Sequence, residues 1–553
     1  MGAAAARALA SGCVAALLLL SCDGSEVRPG PGATATTPNV TETVPGFSPS
    51  PSVFEPTDDV LTVAMREPST LDPMRIQDPG SVLVARQLYE GLTRWDPELE
   101  TVLPAAAQSW DVRNGGRTFV FRLRPGMTFH DGTPVTSSDF QFAFNRIALK
   151  ENASDLAYTL ELVQGFTQVN QLGDARHLFG IRTAGPLTLV IHLSDPFYEL
   201  PKVLTHPGLV PVPARAVRNL DTFLSAPVGN GPFRIAEPWA VGQEVVLEAF
   251  PGFIDTPELD GIRFVPFPDA AASWLEFLEG NLHVAEVPAG QLEAAAQGFG
   301  EEGFTPLLAG YYYGVNVTAD SLRDLRVRKT ISRAIDRDTI ASTVYRGTMV
   351  SPRGIVPAGM PGFQENICLV ACGYSPDRAR ELARKVPRPR REATVEYNND
   401  PPHRRVARLV ADDLRAAGLR VRLRGFKFDR FLKRLRAGEH SMYRLGWIAE
   451  YPSPDAFLYA LFHSDSPDNH SGFSSTRVDR LLDEARAERD EGRRSLLYRQ
   501  AEGAIMRGLP IVPIGSFTSH WATQSEVRNI RFDVMGGFDA VEVTLVEASD
   551  EES

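Results

Sequence analysis

Glu450 is the residue around which ligand chemistry in this chain can be organised. It follows a short apolar run of strand type, Leu445-Gly446-Trp447-Ile448-Ala449, and precedes Tyr451 and a turn with Pro452 and Pro454. A carboxylate beside Trp447 and Tyr451 is suited to holding a cation, because aromatic walls exclude water and strengthen a charge pair. The competing reading is a core strand that ends in a surface turn. Asp455 stands near the start of an aromatic-apolar helix running through Phe457 to Phe462, where an acid is favoured.

The remaining chemistry-bearing residues do not assemble into a catalytic pattern. Histidines are scattered singly, and neither GxSxG nor HExxH occurs, so neither a serine triad nor a zinc-protease site is indicated. No GK[ST] follows the glycines at 229–231, which excludes a phosphate loop. His130, in Phe129-His130-Asp131-Gly132, has no nucleophile or second base beside it and reads as a turn residue. Cys368 and Cys372 lie in Cys-Leu-Val-Ala-Cys. A disulfide across a tight turn is the favoured reading, since two thiols alone fall short of a structural zinc site. No catalytic residue, metal or cofactor is expected.

The elements that must position Glu450 belong to a chain of 553 residues, too long for one core. Its hydrophobic fraction of 43% and charged fraction of 23% are those of a globular protein. A net charge of −12 argues against a general nucleic-acid binder. Near the N-terminus, Arg7 precedes an apolar run, Val14 to Leu20, and then Ser21-Cys22. That run is shorter than the roughly 20 residues a membrane span needs and reads as a secretory signal. Cys13 would leave with it. Residues 22–57 are dense in Pro, Gly, Ser and Thr, as in a disordered linker.

Along the folded part, Val60–Met65 reads as a strand and 82–92 as a helix closed by Gly91. Asn114-Gly115-Gly116 signals a tight hairpin, and Thr136 or Ser137 caps a helix with Asp139 in its first turn. Glycines flanking Asn230 suit a chain crossing between domains, where unusual φ is needed. Arg326, Lys329, Arg333 and Arg337 form the basic face of a helix, read as solvated. Helices are expected at 406–417, 478–489 and 495–506, and a last strand at 541–546. Strands and helices mix throughout, giving an α/β chain.

Several of these segments, in this order, resemble the family 5 extracellular solute-binding proteins of ABC importers, the oligopeptide- and dipeptide-binding type. They are the Leu71-Asp72-Pro73 strand end, the helix carrying Leu88-Tyr89-Glu90-Gly91-Leu92, and LRPGMTFHDGTPVTSSD from Leu123. Gly229-Asn230-Gly231-Pro232-Phe233 stands where the family has Gly-Thr-Gly-Pro-aromatic, and Leu325 to Arg337 looks like the family's basic helix ending AIDR. Trp447-Ile448-Ala449-Glu450-Tyr451 looks like its Trp-x-x-Asp-Tyr ligand segment, with Glu450 replacing Asp.

The resemblance implies a periplasmic-binding-protein type II fold, two lobes with a hinge and an extra domain in the first lobe. The implied division is 58–79, 208–312 and 514–548 for the first lobe's core, 80–207 for its accessory domain, and 313–513 for the second lobe. It implies a ligand extended between Glu67–Ser69 and Gly446–Ile448, an amine on Glu450 and a carboxylate on Arg444. Leu19-Leu20-Ser21-Cys22 resembles a lipobox, implying lipidation at Cys22 and a monomer tethered outside the cell membrane. Permease subunits and separate ATPase subunits would be its partners. Non-peptide solutes (nickel chelate, haem, sugar, opine), a sensory role and an exported hydrolase stay as alternatives.

Overall fold

A computed structural model of the protein describes residues 59–546. The proposed signal, linker and Cys22 therefore lie outside the described residues. Eleven strands join into one mixed sheet that runs through two bodies. At one end, Val60–Met65 pairs in parallel with Gly261–Pro266, which continues antiparallel to Val245–Ala249 and Phe233–Ile235. At the other, Met442–Ile448 neighbours Glu392–Asn398 and then Arg420–Phe426. Two long strands, Phe304–Val315 and Ile511–Thr523, pair with each other and carry the sheet from one body to the other.

The ladder between these two strands is irregular. Pro306 faces Thr518, but the next aligned pair is Gly310 with Ser516, so residues 307–309 bulge out of register. Their backbone turns to other partners: Leu308 donates to Val534 O, and Leu308 O accepts from Ala449 N at 2.8 Å. A bulge frees local backbone from the ladder and bends the strand, as a connection between lobes requires.

Hydrophobic burial separates the two bodies. One core unites Leu61, Val63, Leu83, Phe119, Phe144, Leu204, Ile262 and Phe538. On the other side, one layer gathers Leu445, Phe457, Leu482 and Tyr498, and a second gathers Tyr311, Tyr313, Val327, Val410 and Met442. The four-stranded antiparallel sheet at residues 107–192 shares the first core and has none of its own. The expected boundary at 79/80 falls inside helix Pro79–Leu88, whose Leu83, Val84 and Leu88 belong to that same core.

Local chemistry explains most of the elements and several corrections. Val60–Met65 forms as expected, and the hairpin turns through Asn114, Gly115 and Gly116, all at positive φ. Thr136 and Asp139 form a capping box on helix Ser137–Ala148. The first helix starts earlier than periodicity suggests, because Asp78 caps Ser81 N and Pro79 occupies the first turn. It also ends at Leu88, and Leu88 O accepts from Gly231 N.

Gly229 and Gly231 are not required for unusual φ. A Cβ at Gly229 would stand 2.0 Å from Leu88 O, and one at Gly231 would stand 2.5 Å from Tyr89 N. Close approach to the helix end selects glycine there, and the crossing between lobes is made elsewhere, by the two long strands. His130 fixes this contact: Gly229 N donates to its Nδ1 (3.2 Å), and its Nε2 lies 3.1 Å from Gly231 O. Burial pushes the His130 pKa down to about 4, in keeping with a neutral ring.

Arg337 departs from the solvated-face reading. It is buried and donates to the carbonyls of Pro513, Ser332, Ile335 and Cys372. Cys368 and Cys372 are bonded through their sulfurs with Cα atoms 5.2 Å apart. The final strand shrinks to Thr544–Leu545, the length of its partner, Val527–Arg528.

Candidate functional site

Met442–Ile448 is a strand with unequal edges. Its inner edge is fully paired to one crossing strand, with Gly446 opposite Tyr311, Trp447 opposite Gly310 and Ile448 opposite Ala309. Its outer edge meets Glu392–Asn398 only at Met442 and Tyr443. Among the described residues, no ladder covers that edge beyond Tyr443, and Trp447 and Ile448 are only partly buried. An edge of unpaired backbone groups can receive an extended ligand as an added strand.

The alternation of side chains along this strand divides the expected site residues between its faces. Arg444 lies on the tyrosine-rich face and is 2% exposed. Its guanidinium carbon stands 4.5 Å from the Tyr311 ring centroid, and Nη1 donates to Asn398 Oδ1 at 3.1 Å. Its Nε and Nη2 are buried without a hydrogen-bond partner among the described residues. Nearby His403 has its pKa pushed down to about 2, first by burial and then by the Arg444 charge. Trp447 points to the opposite layer, where its Nε1 donates to Ala456 O (2.6 Å).

Glu450 follows the strand and meets a residue from the other body. Its Oε2 lies 3.2 Å from His206 Nε2. Leu204 and Leu209, which flank that histidine in the chain, belong to the first core. Tyr451 packs against the cores of both bodies and faces the Phe197 ring at 6.4 Å. The Trp447–Tyr451 segment thus sits where the lobes touch.

A buried polar network continues the contact. Glu199, from the first lobe and 2% exposed, accepts from Ser453 Oγ at 2.7 Å and Tyr498 OH at 2.8 Å. Lys202 and Arg494 stand 3.2 and 3.4 Å from its other oxygen. Asp455 accepts two bonds from Arg486, both 2.8 Å, and one from Tyr451 OH (2.9 Å), and shares the single Tyr498 hydroxyl proton, at 3.1 Å, with Glu199. Burial opposes the Arg486 charge, yet Asp455 outweighs it and holds the guanidinium pKa well above its usual value. Burial likewise drives the Tyr498 and Tyr451 hydroxyls well above theirs, so both remain donors. Nothing in the sequence flags Glu199, since Ser453 and Tyr498 lie 254 and 299 residues away from it.

The other expected segment of the site makes its own local contacts. Glu67 and Ser69 are exposed; the Glu67 carboxylate accepts from Gly242 N, and Ser69 Oγ donates to Asp78 Oδ2 at 2.5 Å. Among the described residues, no hydrogen bond, ion pair or ring contact joins them to residues 444–451. The same residues contain no cluster of three or more metal-ligating side chains.

Comparison with known proteins bears on this geometry. The profile of the bacterial extracellular solute-binding proteins, family 5 (middle), matches residues 101–469. The probable deoxycholate-binding periplasmic protein YgiS of Escherichia coli K12 is 27% identical over 470 residues, covering 81% of this chain and 86% of the relative. The oligopeptide-binding protein OppA of Bacillus subtilis 168 is 25% identical over 483 residues, covering 84% and 88%. Among solved structures, the murein tripeptide-binding protein MppA in its unliganded open form superposes with a TM-score of 0.75 at 22% identity, covering 88% of this chain and 97% of MppA. OppA of Burkholderia pseudomallei gives 0.70 at 24%, covering 88% and 99%.

Proposed function

This chain belongs to the bacterial extracellular solute-binding proteins of family 5 and has their two-lobed type II fold; from that premise we propose that it binds peptides between its lobes and delivers them to the permease of an ABC importer. Family members are binding proteins rather than enzymes. ATP hydrolysis would fall to separate subunits. A lipid on Cys22 would hold the receptor, as a monomer, at the outer face of the cell membrane.

The observation that carries the reading is the open outer edge of Met442–Ile448 at the junction of the lobes. Main-chain groups of Gly446 to Ile448 would bond an extended peptide, with Glu67–Ser69 as the facing segment. Trp447 and Tyr451 would flank the ligand's first residue. Glu450 would receive its α-amine, and the two unpartnered nitrogens of Arg444 support a role toward a carboxylate. Lipid-anchored transport is the proposal; a sensory use of the same ligand would leave uptake unchanged in a deletion strain. The cysteine pair would act as a local staple, because so short a loop removes little unfolded-state entropy.

Calorimetry with a free peptide and its N-acetylated twin tests the amine assignment. Removing one partner of a buried charge pair costs about 2–5 kcal/mol, so Glu450→Gln should weaken the free peptide roughly 30-fold or more and spare the twin. Equal affinity for both, with Glu450→Gln silent, sinks the amine reading. It would favour a solute without an amine, such as the ligand in the name of the YgiS relative.

A further inference from the structure

The contact between Glu450 and His206 bears on how the proposed amine site is built. His206 is buried in the first lobe, and its ring is oriented from its own chain: Gly208 N donates to Nδ1 at 3.0 Å. With Nδ1 an acceptor, Nε2 carries the hydrogen and presents it to Glu450 Oε2, 3.2 Å away. Glu450 remains partly exposed, and among the described residues its second oxygen, Oε1, has no hydrogen-bond or ion-pair partner.

Glutamate at this position has a cost that aspartate would not have. Its extra methylene adds a rotatable bond, and an exposed glutamate loses more conformational entropy on being fixed against a ligand. It also extends the reach of the carboxylate, and here the carboxylate meets the facing lobe. On the reading that Glu450 receives the ligand's α-amine, we propose that His206 is a positioning residue for Glu450. It holds Oε2 and so leaves Oε1 aimed for an ammonium. The recognised class is then ligands with a free, positively charged amino end, and the two lobes jointly determine selectivity for it.

The test is calorimetric, with trialanine and N-acetyltrialanine as probes, and the quantity read is the ratio of the two affinities. Immobilising one rotamer-rich side chain costs about 0.5–1.5 kcal/mol, so His206→Phe should cut the free-amine advantage about twofold to twelvefold. Binding of the acetylated twin should stay unchanged, which also shows that the variant is folded. His206→Gln, which restores an N–H donor, should recover most of the ratio. In a Glu450→Gln background, His206→Phe should have no further effect on it. If His206→Phe does not fold, His206→Ala takes its place in the same comparison. A wild-type preference for the free amine that survives His206 substitution overturns the inference alone, as does an equal loss for both peptides. Absence of any preference in the wild type defeats the amine reading itself, and the inference with it.

Discussion

Replacing Glu199 by glutamine keeps the side chain's shape and removes a charge from the buried junction of the lobes. Ser453 and Tyr498 can still find an oxygen acceptor, but Lys202 and Arg494, at 3.2 and 3.4 Å, lose their buried anion. Breaking a buried pair by removing one partner typically costs about 3–5 kcal/mol, because the remaining charge is left uncompensated. Here Glu491 stays close to both cations, 2.9 Å from Lys202 and 3.8 Å from Arg494, although it is 57% exposed and therefore screened. The expected loss is accordingly about 2–3 kcal/mol in unfolding free energy, measured by urea titration with tryptophan fluorescence. Glu491→Gln is the control; an exposed pair is worth about 1 kcal/mol at most. If Glu199→Gln costs no more than Glu491→Gln, the charge is not buried between the lobes and the argument fails.

Three other outcomes are expected. Cys22→Ala should release the protein into the medium or soluble fraction, since the two chains of a diacylglyceryl group are what stable anchoring requires; a variant that stays membrane-bound after processing refutes the anchor. Equal-length peptides with unrelated side chains should bind with similar affinity, because main-chain bonds ignore side-chain identity; binding confined to one sequence counts against the added-strand mode. Burial holds the folded-state pKa of His130 near 4 against an ordinary value of 6.5, so between these values the unfolded chain binds more protons. Stability should fall as pH drops from 6.5 to about 4, by up to about 3 kcal/mol from this group. The advantage of wild type over His130→Asn should shrink across that window, and a constant difference would show that His130 is charged in the folded protein.

Local signals in the sequence carried far. The Val60–Met65 strand, the 136–139 capping box and the hairpin at 114–116 each depend on residues within a few positions of one another. What the sequence did not disclose depends on distant contact. The burial of Arg337 is set by carbonyls as far away as Pro513. The glycines at 229 and 231 answer to the end of a helix some 140 positions earlier, marked by the Glu90–Asn230 bond. At the candidate site, Trp447 and Glu450 were recognisable as residue types, whereas His206, which meets Glu450, and Glu199, which meets Ser453, carry no periodicity or motif.

The bulge at 307–309 has a mechanical consequence. Because one hydrogen-bonded sheet spans both lobes, sliding them past each other would tear ladder bonds, whereas bending where register is already lost leaves the ladder on either side intact. Ile448 and Ala449 attach directly to the bulged residues, Ile448 opposite Ala309 and Ala449 to Leu308 O. Glu450 therefore lies next to the fulcrum, where a given rotation produces a short displacement, while points far along either lobe sweep long arcs. On the proposed reading, a ligand end seated there would stay engaged throughout the swing, and the distal part of the ligand would sense how far the lobes have travelled.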